Sequence, residues 1–318
     1  MKSRKRIRVG VVGVGYLGKL HAEKYALIKE AELVGVTDAN AERANEIAAL
    51  ASTKAFASYE DLFGKVDAVS IVTPTESHFR IGLEFLSRGV HVMMEKPVTN
   101  TTAEADRLIA EAGKKGVVLQ VGHLERFNGA YTALAGRLKS PPVYVEAHRL
   151  SPFPNRSTDV DVVLDVMIHD IDLVLDVVKS KVTSIEAVGT PVVSPRTDIA
   201  NARLAFENGC VASITASRVS RARVRKMEIA TRDSSATVDF MNQHLFVATL
   251  APGVDGRAGT LADEQVEVAK MDAILEELKS FVACSASGKR PVVSGEDGRA
   301  ALHIAELIQG AIAAHAGL

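Results

Sequence analysis

Asp165, His169, Asp172 and Asp176 recur among apolar neighbours in the stretch LDVMIHDIDLVLDVV. At about 100° per residue they fall at about 0°, 40°, −20° and 20° on a helix, a thin polar stripe on a surface otherwise apolar except at Asp170. Such a stripe needs partners or a cavity edge, because burying unpaired charge is costly. An Asp four residues before a His can fix the imidazole tautomer and raise its basicity. Asp165 and His169 therefore form a candidate general base for a hydroxyl proton, with a satisfied structural histidine as the alternative. A suitable cation stands in Glu95-Lys96-Pro97, where an extended run ends: Pro97 fixes the turn and Lys96 can point into a crevice. No metal site is expected, since no third ligand recurs at a clear spacing.

A second chemical signature is Gly13-Val14-Gly15-Tyr16-Leu17-Gly18, which follows an apolar run and opens a helical pattern, with Asp38 twenty residues beyond Gly18. A dinucleotide pyrophosphate rests on backbone N–H groups at a helix N-terminus. Gly13 supplies the tight turn, Gly15 the close approach and Gly18 the packing of helix on strand. Asp38 would accept from the adenosine ribose hydroxyls and repel a 2′-phosphate, which favours NAD over NADP. Thr73-Pro74-Thr75 ends another apolar run at the edge where an open parallel sheet holds its ligand.

These groups require a scaffold that brings strand ends together. From Arg6 to Gly122, strand patterns at Ile7–Val12, Leu33–Thr37, Ala68–Thr73, His91–Met94 and Val117–Val121 alternate with helical ones at Leu17–Lys29, Ala41–Leu50, Ser77–Arg88 and Thr102–Lys115. That alternation predicts an α/β Rossmann domain with a parallel sheet over residues 1–122. Beyond residue 140 the strands Val143–Leu150, Ser184–Val193, Ala200–Glu207, Val211–Val219 and Lys226–Asp239 surround one long helix, Val163–Val178, with hairpins expected at Asn208–Gly209 and Asp233–Ser234. Residues 123–318 are thus expected to form an α+β domain with a large, mostly antiparallel open sheet, its terminal helix free to pack back on the first domain. Arg221, Arg223 and Arg225 are expected on one strand face, as an exposed sheet face or a subunit contact.

The chain has 318 residues with 38 Lys+Arg against 39 Asp+Glu, so no global field draws it to nucleic acid or to an anionic membrane. Its two cysteines belong to no metal or redox pattern, and no apolar run reaches the ~18 residues of a membrane span. A cytoplasmic location is expected, with neither nucleic acid nor membrane as a partner.

GVGYLG, TPTESH, EKP and the D-x3-H helix together resemble the Gfo/Idh/MocA oxidoreductases across essentially the whole chain. The resemblance implies His169 as the acid/base, Lys96 orienting the reacting oxygen, and Asp165 completing the catalytic set. It also implies cofactor contacts from Gly13, Gly15, Tyr16, Leu17, Gly18, Asp38, Thr73, Pro74, Thr75, His78, Glu95 and Lys96. Thr75 stands where the family often has Asn.

VGHLERFNGAY and HRLSPFPNRSTDVDVV further resemble the UDP-N-acetylglucosamine 3-dehydrogenases of that family, although Gly129 replaces a usual Pro and Asp161 a common Gly. This narrower similarity implies His123, Arg126 and Asn128 as substrate contacts. Arg149 and Arg156, flanking a Pro-rich loop before the D-x3-H helix, could grip a diphosphate bidentately. The expected activity is NAD-dependent oxidation of a secondary hydroxyl, at C3 of a UDP-amino sugar. A free sugar or inositol is the alternative substrate, and a non-catalytic NAD-sensing regulator is the alternative class. The expected partners are further copies of the chain, as a homodimer or homotetramer through the second-domain sheet, and an aminotransferase that consumes the 3-keto product.

Overall fold

The computed structural model describes residues 6–153, 160–251 and 259–316. The chain forms two compact units, Met1–Leu124 with Asp272–Ala300, and Glu125–Met271 with Ala301–Leu318. The sequence expectation of one boundary after residue 122 thus meets a division in which a later segment returns to the first unit. The helix α7 (Ala273–Ser287) accounts for the return: its Leu278, Phe281 and Val282 are buried in one core with Val9, Tyr25, Ile47 and Met93. Removing three such side chains from water stabilises by roughly 1.5–3 kcal/mol each.

In the first unit the strands are β1 (Ile7–Val12), β2 (Ala31–Thr37), β3 (Lys54–Phe56), β4 (Ala68–Ile71), β5 (His91–Met94) and β6 (Leu119–Val121). They form one sheet in the order β3-β2-β1-β4-β5-β6, and every pairing is parallel. This is the order of a dinucleotide-binding Rossmann sheet, with its switch point between β1 and β4. Near-continuous apolar sequence lets β1 and β4 be buried on both faces. The connecting helices are α1 (Tyr16–Tyr25), α2 (Ala41–Leu50), α3 (His78–Ser87) and α4 (Thr102–Lys115). The Thr101 hydroxyl accepts the Glu104 amide at the start of α4, and Gly116 ends that helix in the left-handed region.

The second unit carries a short helix α5 (Gly129–Ala133), β7 (Tyr144–Leu150), α6 (Ile168–Val178), β8 (Val182–Thr190), β9 (Ile199–Phe206), β10 (Val211–Ser217), β11 (Val224–Ala230), β12 (Ser234–Asp239), β13 (His244–Ala251) and β14 (Thr260–Val266). The sheet order is β14-β13-β12-β11-β7-β10-β9-β8, with β7 and β10 parallel and the remaining neighbours antiparallel. Its apolar face packs on α6 and on the later turns of α8 (Gly295–Ala316), through Ile168, Ile171, Val174, Ala305, Ile308 and Ile312.

The expected hairpin at Asn208–Gly209 is present, with Gly209 at φ 85°, where a side chain would be strained. β11 begins only at Val224, so Arg221 and Arg223 lie before it and do not share a strand face with Arg225. Among the described residues no helix is long and apolar enough to cross a membrane.

Candidate active site

The turn after β1 has the shape its glycines require. Gly13 sits at φ 83°, and a Cβ there would meet the Val72 carbonyl oxygen at 2.6 Å; at Gly18 a Cβ would lie 1.9 Å from the Gly13 oxygen. Gly15 differs, because nothing lies within 4 Å of its Cβ position and the residue is exposed. Only there is close approach open to a ligand, beside the first-turn amides of α1, which an α-helix leaves without intrahelical acceptors. Gly13, Gly15, Asp38, Thr73 and Pro74 together line a cavity of about 430 Å³, along with Ala39, Ser58, Tyr59 and Arg80. Asp38 is held at its rim: Oδ2 accepts the Val14 amide at 2.7 Å and Oδ1 the Asn40 amide at 2.9 Å. Tyr16 and Leu17 open α1, with Tyr16 exposed and Leu17 half-buried, and Thr75 is half-buried at the start of the turn before α3.

Lys96 lies two residues past the end of β5 and is half-buried, and the Lys96–Pro97 peptide is cis. Two expected cofactor residues nearby have buried side chains. His78 is buried, with Nδ1 2.9 Å from the Pro97 oxygen and Nε2 2.8 Å from the Thr73 oxygen. It ties the Thr73 turn to the Lys96 corner rather than facing the cavity; burial lowers its pKa. Glu95 is buried too, its Oε1 3.2 Å from His21 Nε2 and its Oε2 accepting the Lys96 amide at 3.3 Å. Burial alone would raise its pKa, but the His21 hydrogen bond and the charges of His21 and Lys96 bring it below the ordinary value. His123 is buried just after β6.

In the second unit the helix that carries Asp165 and His169 opens with a π-helical segment, Val163–Met167, before becoming α6. The uniform spacing of about 100° assumed for the polar stripe therefore fails across Asp165, which lies in the wider turn. Both Asp165 and His169 are half-buried. Asp161 caps this start, its Oδ1 accepting the Val163 and Leu164 amides at 2.8 and 3.1 Å, so its charge serves the helix end.

The remaining acids of the stripe pair with Arg126, and Asp170 beside them with Arg149, two arginines expected to hold substrate. Arg126 is buried and donates to Asp172 at 2.6 and 2.8 Å, with a further pair to Asp176 at 2.7 Å. Arg149 is buried, forks onto Asp170 at 2.9 and 2.8 Å and reaches Glu125 at 2.8 Å. Burial pushes the Asp170 carboxyl up, against the Arg149 charge that lowers it. Asn128 caps α5, accepting the Ala130 amide and donating to the Phe240 oxygen at 3.0 Å. Arg126, Asn128 and Arg149, expected as substrate contacts, are thus each engaged by groups of the second unit itself. Arg156 lies outside the described residues.

Sequence reading passed over several groups of this region. Tyr59 and Arg80 at the cavity form a cation–π contact of 5.3 Å, and Arg43 Nε donates to the Val14 oxygen at 3.0 Å. His21, Glu95 and Glu277 come together inside the first unit. The inward spacing of Gly18, His21, Ala22 and Tyr25 along α1 is the signal that marks His21 as buried.

Residues 7–123 match the model of the oxidoreductase family with an NAD-binding Rossmann fold, and residues 139–237 match the GFO/IDH/MocA C-terminal domain. The chain is 42% identical, over 97% of its length and 98% of the relative's, to a UDP-N-acetylglucosamine 3-dehydrogenase from Acidithiobacillus ferrooxidans. The solved structure of a UDP-N-acetylglucosamine 3-dehydrogenase from that organism superposes with a TM-score of 0.92 at 42% identity, covering 97% of this chain and 98% of the other. A myo-inositol 2-dehydrogenase from Thermotoga maritima is 30% identical over 93% of each chain. With both domains matched in order, the chain belongs to the GFO/IDH/MocA family of NAD-binding oxidoreductases.

Proposed function

We propose that the protein oxidises the C3 hydroxyl of a UDP-amino sugar, UDP-N-acetylglucosamine or a close analogue, with NAD as hydride acceptor. The observation that carries this reading is the 42% identity, end to end, with a UDP-N-acetylglucosamine 3-dehydrogenase, against 30% for the inositol enzyme. In this reading residues 1–122 bind the dinucleotide and residues 123–318 bind the sugar and pair subunits through the open sheet.

NAD, when bound, supplies a nicotinamide carbon that accepts the hydride. The open Gly15 and the first-turn amides of Leu17 and Gly18 suit a pyrophosphate, while Asp38 suits the adenosine ribose. His169 takes the hydroxyl proton and Asp165 supports it; a π-helical turn is a frequent feature of functional sites. Lys96 holds the reacting oxygen by charge and stabilises developing alkoxide character. Arg156 contacts the diphosphate, and the 3-keto product is a substrate for an aminotransferase.

The test is reduced-nicotinamide absorbance with UDP-N-acetylglucosamine, free N-acetylglucosamine and myo-inositol as substrates. Turnover with the nucleotide sugar alone is expected; turnover with inositol alone would overturn the substrate assignment, and none with any sugar would favour a sensor.

A further inference from the structure

Inside the first unit, three elements drive acid and imidazole groups into one buried place. His21 comes from α1, Glu95 follows β5, and Glu277 comes from α7; each offers a ligating atom within 4.8 Å of the others. His21 and Glu277 are each 1% exposed and Glu95 6%. Gln120 on β6 is fully buried beside them and donates to the Glu277 backbone oxygen at 3.2 Å. Tyr25 also faces this place from α1, but its hydroxyl is engaged with Ser70 at 2.7 Å. Lys24 of α1 pairs with Asp272 at 2.5 Å, in a more exposed position.

The two carboxylates are not equivalent. Glu95 has His21 Nε2 at 3.2 Å and the Lys96 amide at 3.3 Å. Glu277 Oε1 meets no donor among the described residues. An ionised Glu277 would add a second buried negative charge beside Glu95. Burial, and then the charge of Glu95, hold its pKa well above the ordinary carboxylate range. Glu95 is also tightly seated, since a Cβ on Gly122 would approach its carboxyl carbon and Oε2 to 2.9 Å.

We propose that Glu277 is a positioning residue, kept as a neutral carboxylic acid so that Glu95 alone carries the negative charge and fixes the Lys96–Pro97 corner. Glu277 acts on Glu95 through charge at a separation within 4.8 Å, and Glu95 Oε2 accepts the Lys96 amide. A proton on Glu277 preserves that geometry. Its loss sets two carboxylates against each other, displaces Glu95 and loosens Lys96. The functional consequence rests on the proposed role of Lys96 in turnover.

The experiment compares wild type, Glu277→Gln and Glu277→Leu, with Lys96→Ala alongside. An unfolded glutamate ionises at its ordinary pKa while the native one stays protonated, so the native state binds more protons and wild-type stability falls as pH rises. Urea unfolding between about pH 5 and 8 should show the wild-type folding constant, relative to Glu277→Gln, declining by up to about tenfold per pH unit. Wild-type turnover should decline at alkaline pH as Glu277 loses its proton, with NAD affinity little changed, and the neutral Glu277→Gln and Glu277→Leu should both lack that decline.

A wild-type pH slope unchanged in Glu277→Gln overturns the neutral acid. So does a metal ion that copurifies stoichiometrically and whose chelation removes the slope. A lost stability slope with an alkaline decline of turnover that persists in Glu277→Gln overturns the positioning role. Normal turnover in Lys96→Ala overturns the reading of Lys96 on which that role rests.

Discussion

The Val14 amide donates to Asp38 Oδ2 at 2.7 Å, so the acid expected to recognise a ribose also closes the glycine turn. The same turn holds a cation, because Arg43 donates to the Val14 oxygen at 3.0 Å. Asp38→Ala should weaken NAD about ten- to a hundredfold, the worth of a charge-assisted hydrogen bond, and should relax the exclusion of NADP by removing the charge that repels a 2′-phosphate. Calorimetric titration of both dinucleotides checks this; tighter NADP than NAD binding by wild type would contradict the role of Asp38.

Arg149 and Arg156, alike in sequence, should behave differently. Arg149→Ala removes the cation that forks onto buried Asp170 and leaves Glu125 only Arg225 at 3.7 Å, and should cost about 3–5 kcal/mol in urea unfolding. The exposed Arg299–Asp106 pair at 3.0 Å should contribute no more than about 1 kcal/mol. Arg156→Ala should weaken UDP binding about ten- to a hundredfold. Unchanged UDP affinity there would remove Arg156 from the site.

Acid should destabilise the first unit through His91. Its Nδ1 accepts the Val118 amide at 2.9 Å, which only an unprotonated Nδ1 can do, and burial lowers its pKa. The unfolded chain takes up the proton first, so stability present above about pH 6.5 is lost as pH falls below it. His91→Asn retains an acceptor without the titration. Its unfolding midpoint should therefore vary less between about pH 7 and 5 than that of wild type.

Tyr144 on β7 and Phe246 on β13 lie on the outward face of the second-unit sheet, 38% and 43% exposed. If this face pairs subunits, as proposed, Tyr144→Asp with Phe246→Asp should convert a dimer or tetramer to monomer in sedimentation velocity. An unchanged sedimentation coefficient would place the interface elsewhere.

What could be read in advance follows from how local each signal is. β1, the glycine turn and Asp38 lie within one βαβ unit, so spacing alone defines them. β14 carries no strand signal in its sequence because its residues are exposed until Val266, and pairing with β13 rather than apolar alternation holds this edge strand. β3, three residues at the other sheet's edge, is too short to show a period. The pairing of Arg149 with Asp170 and Glu125 depends on β7 meeting the helix, a long-range event with no local signature. A helical wheel sees carboxylates on a stripe, but not the arginines that will cover them.

The most direct measurement of the central claim uses UDP-N-acetylglucosamine carrying deuterium at C3, with the reduced nicotinamide analysed by mass spectrometry. The account predicts that the deuterium appears on the nicotinamide ring, and that Lys96→Ala and His169→Ala slow this transfer by about 10²–10⁴-fold while leaving NAD affinity nearly intact. Reduced nicotinamide formed without the label, or label transferred at the wild-type rate in His169→Ala, would contradict it.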